Sequence, residues 1–218
     1  MKRCQTHFSP IAVILLLAGC GPEPRKSEAP KAPPFKLDRA PDVFRAKFET
    51  TKGPFVVEVH RDWAPRGADR FYELVAGGFY NGTRFYRVKP NFVVQWGISG
   101  DPTVSQLWAN LRILDDPVKQ SNKKGTLAFA AGGPASRTTQ VFINLADNSK
   151  SLDKSGFAVF GRVVEGMEDV VERLYWGYGE MAPRGSGPDP TQIERKGNAY
   201  LDERFPRLDR IRKASVLP

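Results

Sequence analysis

Cysteine and histidine, which carry most nucleophilic and metal chemistry, are almost absent from this chain. Cys4, Cys20 and His7 lie within the first twenty residues, so everything beyond has no thiol and one imidazole, His60. That excludes a disulfide framework, a cysteine nucleophile and a zinc site built on several Cys or His. A histidine-based triad would have to rest on His60 alone. It closes a strand without a catalytic partner at fixed spacing and is therefore expected to be structural. Asp115 and Asp116 fall in a loop and the acids of 165–172 on a helix face, so both groups are expected on the solvated surface. What remains is hydrogen bonding from a few polar side chains set among apolar strands. They lie in three blocks: F-Y-R-V-K-P-N-F-V-V-Q-W-G (85–97), G-T-L-A-F-A-A-G-G-P-A-S-R-T-T-Q-V-F-I-N (125–144) and L-D-K-S-G-F-A-V-F-G (152–161). Gln95 sits inside an apolar strand, where its amide needs a buried partner.

Together and in this order, the blocks resemble the cyclophilin family of peptidyl-prolyl isomerases. The first resembles the family's F-x-R-V-x-x-x-F-x-x-Q-x-G signature, the second its stretch ending Q-F-F-I, and the third its L-D to F-G stretch. The resemblance spans roughly residues 43–176 and resumes at the last strand. It implies an isomerase of X-Pro bonds, whose rotational barrier of about 18–20 kcal/mol comes from amide conjugation. Lowering that barrier requires no nucleophile, metal or cofactor. An arginine near the proline nitrogen lone pair would weaken the conjugation in the transition state, while an apolar pocket grips the ring.

Carried over by position, the resemblance makes Arg87 the catalytic arginine, with Phe92 and Gln95 beside it. Phe92 and Phe142 match the ring-gripping aromatics, Val93 falls where a Met is usual, and Leu152 matches an aliphatic wall. Gln140 matches a polar lining residue. Ala131 and Gly132 match positions whose backbone runs alongside the substrate as an added strand would. Four positions depart from the pattern. Ser151 stands where an aromatic is frequent. Phe157 falls near the family's His, with one extra residue in the loop, and Ala131 replaces a frequent Asn. Trp96 replaces a common Gly, which makes it either core or a narrowing of the site. These departures bear on inhibitor affinity and substrate preference more than on activity.

Elements able to position these residues are legible as period-two runs from residue 42 onward. Phe44, Ala46 and Phe48, then Phe55, Val57 and Val59, flank Thr51-Lys52-Gly53-Pro54 as a hairpin. Further strands are expected at Arg84–Val88, Phe92–Trp96, Thr126–Ala130, Val141–Asn144, Val159–Val163 and Ile211–Val216. One helix starts at Pro65, with Ala68, Phe71, Tyr72 and Val75 on one stripe; a second carries Met167, Val170, Val171 and Leu174. Eight short strands and two helices predict a mainly β fold, a closed eight-stranded antiparallel barrel capped by two helices. Residues 177–206, rich in Gly, Pro and charge, read as a long loop.

Ahead of this domain (42–218), Lys2 and Arg3 precede an apolar run, Ile11–Ala18, too short to span a bilayer. It ends in Leu17-Ala18-Gly19-Cys20, which resembles a bacterial lipobox. Residues 1–19 are thus expected to be a signal peptide and Cys20 the acylated first residue of the mature chain. Residues 20–41 form a Pro-rich tether with a reach of about 50–60 Å. Gly21 follows the cysteine, and the lack of Asp there favours the periplasmic face of the outer membrane in a Gram-negative cell. Without residues 1–19 the chain keeps 31 basic and 24 acidic residues, a net charge of +7. The charges are dispersed, so a loose attraction to anionic membrane surfaces is expected, and nucleic-acid binding is not. The expected partners are proline-containing segments of exported proteins and the bilayer, reached by a monomer. Two other readings are a non-catalytic proline-peptide-binding chaperone or scaffold, and a structural lipoprotein attached to anionic polymers.

Overall fold

The computed structural model describes Met1 and residues 39–218; the signal segment, Cys20 and nearly all of the tether lie outside the described residues. The hairpin forms as the alternation dictates. β1 (Val43–Thr50) and β2 (Pro54–His60) pair with Phe44 opposite Val59, Ala46 opposite Val57 and Phe48 opposite Phe55. The last two rings stack at 4.9 Å. Gly53 closes the turn at φ +124°, a conformation side chains resist. The remaining strands are β3 (Arg87–Lys89), β4 (Val93–Trp96), β5 (Thr126–Phe129), β6 (Val141–Asn144), β7 (Val159–Glu165) and β8 (Ile211–Val216). They form one antiparallel sheet in the order β3-β4-β6-β5-β7-β2-β1-β8.

This sheet is an open half-barrel, not the closed barrel expected. β3 and β8 are its edges, and they approach through one bridge, Arg84 to Arg210. The reason lies in how residues 83–89 share their hydrogen bonds. Thr83 and Phe85 bond to Ile211 and Asp209, whereas residues 87–89 pair with β4. No residue of β3 serves both neighbours, so the ring of ladders stays interrupted.

Helix α1 (Pro65–Ala76) covers the sheet, burying Ala68, Phe71, Leu74 and Val75 while Tyr72 stays half-buried. The expected second helix is not α-helical. Residues 167–170 form turns and only Val171–Arg173 makes a 3-10 turn, yet Val170, Val171 and Leu174 are buried and Met167 packs on the core. The apolar spacing selected the side chains that face inward, but it did not fix the backbone bonding, which mixes spans of three, four and five residues here. Two helices have no counterpart in the strand-and-stripe reading, α2 (Pro102–Ala109) and α4 (Pro190–Arg204); α3 (Ser149–Leu152) is a single turn. Both missed helices begin with Asp-Pro: Asp101 and Asp189 accept from the N–H two residues on, and proline takes the first turn. That dipeptide was the available signal. The second half of the 177–206 segment is thus helix, and its first half, 177–189, is turns and irregular chain. α4 breaks at Gly197 (φ +61°), where any Cβ would strike the Gly100 carbonyl at 2.0 Å, so the interruption is what lets α2 and α4 touch.

Asp116 departs from its expected place on the solvated surface. Its side chain is fully buried and caps α1 from fifty residues away, accepting from Arg66 N (3.0 Å), Gly67 N (2.9 Å) and Arg137 Nη1 (3.1 Å). Ala64, at the cap position itself, has no side-chain acceptor, so the orphaned N–H groups of the first turn need this carboxylate. Asp115 is more exposed and accepts from Ala135 N. Asp116→Ala is expected to lower stability by about 2–3 kcal/mol, since it strands the two helix donors and removes one acceptor of Arg137, which keeps the Leu114 carbonyl and the ion pair with Asp115. Chemical denaturation measures this; a loss below about 1 kcal/mol would show the cap to be dispensable.

Candidate active site

Strand register assembles the site. Arg87 pairs with Gln95, Gln95 with Phe142, and Phe142 with Ala128, which makes one row across β3, β4, β6 and β5. Because alternate residues face opposite ways, their neighbours Val88, Val94, Trp96, Val141, Ile143, Leu127 and Phe129 enter the main core. Trp96 is therefore core and does not narrow the site. The outward residues form a separate apolar cluster: Val93, Ala128, Phe142 and Leu152 are buried, with Phe92, Ala130 and Phe157 packed against them. Phe157 meets Phe142 edge-on at 5.6 Å and so completes the wall. Ser151 is exposed on α3, and its hydroxyl bonds the Asn148 carbonyl.

Arg87 stands beside this cluster, its guanidinium carbon 5.3 Å from the centre of the Phe92 ring. Its side chain is only 12% exposed, so its donors need acceptors. Nη1 donates to Gln95 Oε1 (3.0 Å) and Nη2 to Glu180 Oε2 (2.8 Å). Nε lies 2.7 Å from Glu180 Oε1, an ion-pair contact without hydrogen-bond alignment. With its oxygen committed to Arg87, Gln95 turns its nitrogen to Tyr86 Oη (2.7 Å) and Gln140 Oε1 (3.2 Å), while the Tyr86 hydroxyl donates to Gln140 Oε1 (2.5 Å). Burial pushes the Tyr86 phenol well above its usual range, against the Gln95 hydrogen bond and the Arg87 charge, so it remains a donor. Gly97 makes room for this network: at φ +108° it lies so close to Thr139 and Gln140 that a Cβ would fall 2.4 Å from the Thr139 carbonyl.

Every catalytic and substrate-binding residue expected from the sequence lies in this region, two of them only partly engaged; Cys20 lies outside the described residues. Ala131 and Gly132 occupy the loop after β5. Ala131 lines an open cavity of about 600 Å³ shared with Phe157, Phe129 and Arg137. Gly132 is exposed, and its N–H is taken by Ser136 Oγ at 2.9 Å, so it does not offer that donor to an added strand. Two participants were missed. Tyr86 lies within the first block, next to Arg87, and that adjacency was the available signal. Glu180 lies in the segment read as a loop, and nothing in its local pattern marks it. His60 is structural, stacked on Trp63 at 4.2 Å and contacting Glu58. Among the described residues, no group of three or more His, Cys, Asp or Glu could hold a metal ion.

Comparison with known proteins bears on this geometry. The profile of the family described as cyclophilin type peptidyl-prolyl cis-trans isomerase/CLD matches residues 45–183. A peptidyl-prolyl cis-trans isomerase of Acinetobacter baylyi is 39% identical over 134 residues, which is 59% of this chain and 70% of that protein. Peptidyl-prolyl cis-trans isomerase B of Escherichia coli is 36% identical over 140 residues, 58% of this chain and 81% of that protein. A crystal structure of a Cryptosporidium parvum cyclophilin type isomerase superimposes with a TM-score of 0.59 at 19% identity, covering 81% of this chain and 98% of that one. That likeness concerns the fold. The family match ends at residue 183, so α4 lies beyond it.

Tyr86→Phe removes the hydroxyl that joins the buried amide of Gln95 to the half-buried amide of Gln140. It is expected to fold with a loss of about 1–3 kcal/mol, read from the shift of the unfolding midpoint. An unchanged midpoint would mean that the amides find other partners.

Proposed function

The chain belongs to the cyclophilin-type peptidyl-prolyl cis-trans isomerase family, and from that premise we propose that it is an envelope-anchored isomerase acting on exported proteins as they fold. Its activity is the interconversion of cis and trans X-Pro bonds. The observation that carries the assignment of the site is the row of Arg87, Gln95 and Phe142 beside the apolar cluster.

In the proposed mechanism the cluster of Phe92, Val93, Phe142, Leu152 and Phe157 takes the proline ring, a rigid apolar group whose burial is favourable. With the ring held, rotation falls to the preceding carbonyl. Arg87 presents a cation next to the pocket. Of its five N–H groups, one on each terminal nitrogen is free of the Gln95 and Glu180 hydrogen bonds. Directed at the proline nitrogen, such a donor interacts with the lone pair that conjugation otherwise occupies, so it binds the twisted amide better than the planar one. That difference is what accelerates the step. Gln95 and Gln140 line the polar side of the groove, and the Ala131 backbone borders the chain of the substrate. No cofactor or metal enters the chemistry.

The lipid anchor rests on the Leu17-Ala18-Gly19-Cys20 motif, the short apolar run before it and the Pro-rich stretch after it. No helix among the described residues is long and apolar enough to cross a membrane. We place the domain outside the cytoplasm, on the periplasmic face of the outer membrane if the cell is Gram-negative, and free of nucleic acid.

Arg87→Ala should leave the fold intact and lower kcat/KM for a short proline peptide by an order of magnitude or more, roughly 1.4 kcal/mol per tenfold. A well-folded variant with an unchanged rate would overturn this mechanism, whereas a natural protein that does not speed the isomerisation at all would favour the non-catalytic peptide-binding module. Cys20→Ser should release the protein from membranes, because acyl chains supply about 0.8 kcal/mol per buried CH₂. Persistence in the membrane fraction after high-salt washing would refute the anchor.

A further inference from the structure

The 177–206 segment brings a carboxylate onto the arginine of the site, and this contact has no counterpart in the sequence motifs. We propose that Glu180 is a positioning residue, which together with Gln95 fixes the plane of the Arg87 guanidinium for isomerisation. The inference rests on the isomerase reading above and deepens it.

The geometry favours positioning over blocking. Glu180 occupies the Nε and Nη2 side of the guanidinium and Gln95 holds Nη1, so the two acceptors grip it from different nitrogens. A planar fork held at two points cannot rotate about its own axis, and a pre-oriented donor stabilises the transition state without first being reorganised. Glu180 is itself fixed. Its Oε1 accepts from Met181 N at 3.0 Å and its carbonyl from Gly187 N at 2.9 Å. A Cβ at Gly185 or Gly187 would stand 2.4 or 2.7 Å from the Glu180 carbonyl oxygen, so the loop closes around this residue only because both positions lack side chains. Behind it, Tyr178 and Met181 pack into a small second core with Tyr86, Ile98, Ile193 and Leu201. The segment that supplies the carboxylate is thereby tied to the tyrosine of the polar network.

The charged groups facing Glu180 are Arg87 and Lys89, the latter 3.5 Å away and half-exposed. Burial raises the Glu180 pKa, but the hydrogen bond and charge of Arg87, the Met181 N–H and the charge of Lys89 outweigh it and hold the carboxyl below its ordinary value. It is therefore ionised at neutral pH. The grip is lost only as pH falls through that lowered value.

The test measures kcat and KM separately for a short X-Pro peptide with the full-length protein. Glu180→Ala is expected to lower kcat by roughly tenfold to a hundredfold, with KM within about twofold. Glu180→Gln keeps an oxygen acceptor and should recover part of the loss, and its activity should lack the decline at acid pH that protonation of Glu180 is expected to cause in the natural protein. Should the alanine variant fail to fold, NMR of the natural protein decides. A clamped guanidinium gives separate Nη1 and Nη2 resonances for Arg87, and a single averaged resonance would overturn the proposal. So would an unchanged kcat in Glu180→Ala, while a raised kcat would show that the carboxylate shields the arginine instead. An inactive natural protein would overturn the isomerase reading itself, whereas an active one with an indifferent Glu180 overturns only the role assigned here.

Discussion

A guanidinium that lies almost buried on the outer face of a sheet must be held by acceptors that the protein itself supplies, and much of this site follows from meeting that demand for Arg87. Gln95 turns its oxygen to the arginine, so its nitrogen has to find acceptors elsewhere. Tyr86 and Gln140 provide them. Tyr86 is buried and stays protonated, so its hydroxyl accepts from Gln95 and donates to Gln140 Oε1. Gln140 can stand there because Gly97 leaves its backbone room. Each member fixes the orientation of the next, so the polar network has little freedom to rearrange.

Around this network one sheet serves two apolar clusters. β4 and β6 are buried on both faces: Val94, Trp96, Val141 and Ile143 enter the main core, while Val93 and Phe142 form the floor of the outer cluster. A sheet packed on both sides is a stiff platform, which suits a reaction that asks for fixed donors and a fixed ring pocket and no covalent step. The aromatic core beneath it is dense. Trp96 has Phe48, Phe55, Tyr80 and Phe85 within 6.5 Å, so the strand that carries Gln95 is anchored from behind.

The segment between the last two strands adds a layer. Its own core, with Tyr178 and Tyr200 edge-on to Phe205, rests against Tyr86 and Ile98. Two helices with Asp caps and proline starts meet at Gly100 and Gly197, where Asn198 N donates to the Gly100 carbonyl at 2.9 Å. Through this layer the active-site face acquires a carboxylate supplied from far along the chain.

The sequence by itself determined the mainly β class, the hairpin, α1 and six further strand positions within a few residues, because alternation and helical stripes are local consequences of backbone geometry. It also placed Arg87, Phe92, Gln95, Phe142 and Leu152, since a contiguous motif keeps its register once its strand forms. Tertiary structure alone decided four things. It left the barrel open, because Thr83 and Phe85 spend their bonds on the approach to β8 and residues 87–89 spend theirs on β4. It made residues 167–174 an irregular turn, because apolar spacing specifies which side chains face inward and not which carbonyl each N–H finds. It buried Asp116, because the orphaned donors of α1 needed an acceptor that its own cap residue lacks. And it set Glu180 against Arg87, a contact across 93 residues that no local pattern encodes, because it depends on how two distant loops pack and not on the propensities of either.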